Sequence, residues 1–95
     1  MRAEAKIKDE LMTYRALGNG TRFKVLHGVA DGKLSFNDLA RKLRIERGLL
    51  AYHMAILKSA GLIENSIERK HGGRKFSLYS VTNKAVDLMQ KLGIG

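Results

Sequence analysis

The side chains in this sequence that could act on another molecule are cations rather than nucleophiles. Arg69, Lys70, Arg74 and Lys75 flank the pair Gly72-Gly73. Guanidinium and ammonium groups on a short loop meet phosphate oxygens, and glycine lets the backbone approach a ligand closely. The plain alternative is a solvated turn that happens to be basic. Arg41, Lys42, Arg44, Arg47 and Lys58 form a second basic set around two central helices. Arg44 and Arg47 are its best candidates for phosphate contact, because they fall at a turn and a helix start. Tyr52 adds a hydroxyl that can reach a phosphate or a base edge, or could instead pack half-buried. His27, His53 and His71 have no ligand-like spacing, so no metal site and no cofactor is expected. His53 reads as a packed residue bonded to a carbonyl or a phosphate. The chain has no phosphate-cradling glycine loop with lysine, no nucleophile elbow and no His-Glu zinc helix, so an enzyme is not expected.

Composition points the same way. The 95 residues fit one small domain, 1–95, whose modest core leaves room for help from a second subunit. Eighteen Lys and Arg against nine Asp and Glu give a formal charge of +9, which implies a polyanionic partner. Cysteine is absent, which excludes disulfides and thiolate metal sites. No apolar run approaches the ~20 residues needed to span a bilayer. The opening residues carry charge of both signs without a following apolar stretch, unlike a signal peptide. No membrane partner and a cytoplasmic location are therefore expected.

The cations must be positioned by regular elements, and the sequence predicts them. Residues 3–17 read as a helix with Ile7, Leu11 and Tyr14 at helical spacing. Gly18-Asn19-Gly20 stops it, and Thr21 reads as the N-cap of a second helix, 22–30. Lys33-Leu34 permits a very short strand. Ser35 followed by Asp38 matches a capping box ahead of the apolar set Phe36, Leu39, Ala40 and Leu43. After the turn Arg44-Ile45-Glu46, a helix runs from about Arg47 to Ser59. It turns Leu50, Met54 and Leu57 one way and Gly48, Ala51, Tyr52, Ala55 and Ser59 the other. Two runs rich in β-branched and aromatic residues, 62–68 and 76–81, surround the glycine turn as a hairpin. Thr82 caps a last helix, from Asn83 to about Leu92.

Two helices joined by a short turn and followed by a cationic hairpin predict a winged helix-turn-helix of the α+β class with added N- and C-terminal helices. Several local strings carry a resemblance as well. Leu17-Gly18-Asn19-Gly20-Thr21-Arg22, Leu39-Ala40-Arg41-Lys42-Leu43, Tyr52-His53-Met54, Leu57-Lys58 and Ala60-Gly61-Leu62-Ile63 resemble the ArsR-type regulators, most like the small archaeal members. Gly20 stands where that group often has proline. The cysteine pair through which many of its members sense metal is missing. The Ser/Thr-rich start of the recognition helix is here Gly48-Leu49-Leu50-Ala51.

The resemblance implies a homodimer on double-stranded operator DNA and control of transcription. Arg44, Arg47, Gly48, Ala51, Tyr52, Lys58, Arg69, Lys70, Arg74 and Lys75 are the expected DNA-facing residues. Ile7, Leu11, Val86, Met89 and Leu92 are the expected dimer contacts, unless the end helices merely cap the protomer's own core. Two rival readings stay open: an architectural DNA-binding protein with little sequence preference, and a winged helix used for protein–protein assembly.

Overall fold

The computed structural model describes the backbone of residues 2–69, 73 and 75–93, and the side chains of residues 8, 11–67, 73 and 77–93. The described elements run α1 (Arg2–Leu17), α2 (Gly20–Ala30), β1 (Leu34–Ser35), α3 (Phe36–Leu43), α4 (Arg47–Ser59), β2 (Ile63–Arg69), β3 (Lys75–Val81) and α5 (Asn83–Lys91). The three strands form one antiparallel sheet in the order β1-β3-β2. Leu34 pairs with Tyr79, so the short strand ties the start of α3 to the hairpin. The hairpin register runs from Ile63 opposite Val81 to Arg69 opposite Lys75. This is a winged helix-turn-helix with a helix added at each end.

Short polar side chains set where the helices begin. Ser35 accepts a hydrogen bond from the Asp38 N–H at 3.2 Å, as the capping-box spacing predicts. Thr82 does the same for the Ala85 N–H at 3.2 Å. For α2 the sequence expectation needs correcting. Asn19, not Thr21, is the N-cap, accepting from the Arg22 N–H at 3.0 Å, and the helix starts at Gly20. Asn and Thr are both good caps, and local sequence alone does not choose between neighbours.

The core is built mainly from one face each of α2, α3 and α4. Val25, Leu26 and Val29 meet Leu39 and Leu43, then Leu50, Met54 and Leu57, with Leu62 and Ile63 closing it from the sheet side. A Cβ on Gly28 would lie 3.0 Å from Leu43 Cδ2, so the bare glycine lets α2 and α3 approach.

One residue of the end helices differs from expectation. Met89 is only 7% exposed and belongs to the core with Ala85, so it is not a free dimer-facing residue. On α1 the buried positions are Thr13 and Ala16, while Leu11 and Tyr14 are 61% and 64% exposed. The apolar stripe read along α1 therefore faces away from the protomer at those two residues. The Ile7 side chain lies outside the described residues. No helix among the described residues is long and apolar enough to cross a membrane.

Candidate nucleic-acid interface

The turn between α3 and α4 is set by residue 44. Arg44 adopts φ 53°, ψ 47°, the left-handed conformation, which closes α3 and swings the chain into α4. An arginine bears this strain where glycine is usual, and its side chain stays exposed at the corner. Glu46 then caps α4. Its carboxylate accepts from the Gly48 N–H at 2.8 Å and the Leu49 N–H at 3.0 Å. Those bonds hold the Glu46 carboxyl below its ordinary range. A Cβ on Gly48 would lie 3.2–3.3 Å from the Glu46 carboxylate oxygens, so the glycine makes room for this cap.

Beyond the cap, α4 divides into two faces. Leu50, His53, Met54 and Leu57 are buried. Gly48, Leu49, Ala51, Tyr52, Ala55, Lys58 and Ser59 are exposed. Tyr52 is 58% exposed. Its ring meets the His53 ring edge-on at 5.3 Å, and the Arg22 guanidinium sits 5.9 Å from its centroid. Arg47 is folded back onto α3, where it donates to the Asn37 side-chain carbonyl and lies 5.9 Å from the Phe36 ring centroid.

The other predicted cations fall into two groups. Arg41 pairs with Asp38 at 2.7 Å and Lys42 with Asp31 at 3.3 Å, so both already have carboxylate partners within the protein. Arg41 also lowers the Asp38 pKa, second to the Ser35 hydroxyl. Lys58 donates to Asn65 Oδ1 at 2.9 Å, and Asn65 donates onward to Ser77 Oγ at 3.1 Å. The end of α4 is thereby tied to both wing strands. Arg69 and Lys75 are register partners where the hairpin meets its tip. Their side chains, and all of Lys70 and Arg74, lie outside the described residues.

One residue missed in the sequence sits beneath this surface. Arg22 is only 6% exposed. Its Nε donates to His53 Nδ1 at 3.3 Å and its Nη1 to the Arg15 carbonyl at 2.8 Å, linking α1, α2 and α4. The signal was available, because Arg22, Val25, Leu26 and Val29 recur at i, i+3, i+4 and i+7, the spacing of one buried stripe. Burial, and then the Arg22 charge, push the His53 pKa down, which keeps the imidazole neutral. His27 is exposed near Asp31 instead. Among the described residues no group of three or more His, Asp or Glu side chains could hold a metal ion.

A capped helix standing exposed beyond a tight turn, braced by a hairpin, defines the winged helix-turn-helix class. Residues 19–65 match the family model described as the bacterial regulatory proteins of the arsR family. The helix-turn-helix segment of this chain is thus similar to the ArsR family. HTH-type transcriptional regulator Rv2034 of Mycobacterium tuberculosis is 36% identical over 50 residues, 53% of this chain and 47% of the relative. The chain spans about half the length of that curated relative. Among solved structures, the homodimeric winged helix-turn-helix DNA-binding domain of Mb0332 from Mycobacterium bovis is similar with a TM-score of 0.79. It is 22% identical, with 97% of this chain and 82% of that one covered. An ArsR-like transcriptional regulator from Rhodococcus sp. RHA1 has a TM-score of 0.72 at 25% identity, covering 94% and 83%.

Proposed function

We propose that this protein is a homodimeric regulator of transcription that binds double-stranded DNA through α4 and the wing and acts in the cytoplasm. The observation that carries the reading is the exposed face of α4. It is an almost uncharged surface of small residues and one tyrosine, framed by Arg44 at the turn and Lys58 at the wing. Small side chains let a helix sit deep in a major groove, with alanine methyls against thymine methyls. Cations at the edges meet the phosphates. The relatives whose names describe DNA binding or transcriptional regulation support the same reading.

The homodimer rests on Leu11, Tyr14, Val86 and Leu92, exposed apolar residues on the two end helices. A chain this small gains from covering them with a second copy. Likeness of residues 19–65 to a regulator family, with no enzyme signature in the sequence, supports a non-enzymatic role. Placement among small archaeal members has only the local strings behind it, since the relatives named above are bacterial.

One observation favours the architectural alternative. The exposed face of α4 offers only Arg47 at its start and Lys58 near its end as types able to grip a base edge, and Arg47 is engaged with Asn37 and Lys58 with Asn65. Direct reading of a base by Arg47 requires that bond to open. Selection of bound sequences from a random duplex pool separates the two readings. A regulator enriches a two-fold symmetric motif, and an architectural protein enriches none. On the enriched site Arg47→Ala should relax one position per half-site by about 1–3 kcal/mol, whereas Arg74→Ala should weaken all duplexes alike.

A further inference from the structure

A cleft of about 560 Å³ opens between α1 and α4, lined among others by Met12, Arg15, Arg22, Tyr52, Ile56 and Ser59. Among the described residues no carboxylate lines it. Arg22 is buried at its wall, and its bonds to His53 and the Arg15 carbonyl engage two of the five N–H groups of a guanidinium. Among the described residues its partners are neutral, so the guanidinium charge is left to be balanced more fully by an anion from outside the chain. The Arg15 side chain is exposed at the rim, and the Tyr52 and Ser59 hydroxyls add polar contacts. His53 accepts from Arg22 through Nδ1 and so adds no competing charge.

The position of the cleft says which anion. On α4, Arg47, Ala51 and Lys58 fall on one helical stripe, at i, i+4 and i+11. Tyr52, Ala55 and Ser59 fall on the adjoining one, at i, i+3 and i+7. The first stripe borders the turn and the wing, and the second borders the cleft. A helix seated in a major groove is flanked by a phosphate backbone on each side.

We propose that a phosphate of the duplex docks in the α1–α4 cleft, on the free edge of the Arg22 guanidinium and the Arg15 side chain. The DNA interface then extends from α4 onto α1 and α2. The inference rests on the DNA-binding reading above. Arg22 is the fixed element, held by His53 and the Arg15 carbonyl, and Arg15 is the adjustable one.

The test uses the full chain on the enriched duplex, or on random duplex if none is enriched. Affinity is measured across a salt series for the wild type, Arg15→Ala and Arg22→Lys. Single methylphosphonate replacements along each strand remove one phosphate charge at a time. Arg15→Ala should lower the log–log salt slope by about 0.9 per protomer. One phosphate per half-site should matter to the wild type and no longer matter to Arg15→Ala. Arg22→Lys keeps the charge but loses the fork, and should weaken binding at that same phosphate, with its fold checked by thermal melting. An unchanged slope, with no phosphate coupled to Arg15, overturns the inference while duplex binding itself stands. If inorganic phosphate shifts the Arg22 side-chain resonances but no backbone position couples to Arg15, the cleft takes a free anion, and the DNA source is overturned. A wild type that binds no duplex defeats the DNA-binding reading itself.

Discussion

Helices α3 and α1 look alike in sequence and end differently. Both carry an apolar stripe with charges off it. In α3 the stripe is spent within the protomer: Leu39 and Leu43 are buried and Phe36 and Ala40 pack against the core. In α1 the two large stripe residues with described side chains, Leu11 and Tyr14, point outward, and it is Thr13 and Ala16 that turn in. Periodicity reveals that a helix has an apolar face. It does not say which molecule covers that face, because the energy of burial depends only on the area removed from water. The small residues on α1 mark the side that must approach α2 closely, and the large ones mark a side left for something else.

Substitutions can break this comparison directly. Leu39→Ala removes a fully buried side chain from α3 and should destabilise the protomer by about 2–5 kcal/mol, read from urea unfolding. Leu11→Asp, on the matching stripe of α1, should change protomer stability by no more than about 0.5 kcal/mol and yet halve the mass measured by light scattering. A wild type that is already monomeric in dilute solution would remove the homodimer from the proposed function. Met89→Asp cannot serve here, because a charge at a core position should unfold the protomer before it reports on assembly.

A third test sharpens the contrast at the one polar member of the buried α4 face. His53 has its folded-state pKa lowered by burial and by Arg22. The unfolded chain therefore binds the proton more readily. The stability that neutral His53 contributes is fully present above the ordinary histidine value of about 6.5 and is lost as pH falls through and below it. Melting temperature should drop between pH 7.5 and 5.5, and His53→Gln should flatten that dependence. The smallest effect is expected at the turn. Arg44→Gly relieves about 1–2 kcal/mol of left-handed strain, partly offset by the freedom of glycine in the unfolded chain, for a net gain of roughly 0.5 kcal/mol. The same variant should weaken duplex binding if Arg44 meets a phosphate, so stability and affinity move in opposite directions.

Much of the frame was legible because short-range chemistry fixes it. The Ser35 cap ahead of Asp38 and the Thr82 cap follow from side chains bonding to backbone within three residues. The parts that were not legible depend on contacts far apart in sequence. Arg22 meets His53 across 31 positions and Arg47 meets Asn37 across ten, and neither bond leaves a local pattern. Met89 looked like seam material because its apolar spacing matches that of Val86 and Leu92, and only packing assigns it inward. The Glu46 cap was missed for a different reason: Ser, Thr, Asp and Asn are the residues usually sought at that place.

The chain of bonds from Lys58 through Asn65 to Ser77, with Lys84 donating to the Ala60 carbonyl at 2.7 Å, clamps the end of α4 to the root of the hairpin and to α5. Helix and hairpin root are therefore joined like the two jaws of a caliper. A duplex whose local shape changes the spacing between groove floor and neighbouring backbone cannot be followed by moving one jaw alone. It must deform to fit or be bound less well. On the proposed DNA-binding reading, such a clamp would turn the stiffness of a DNA sequence into a quantity the protein measures, at base pairs no side chain touches.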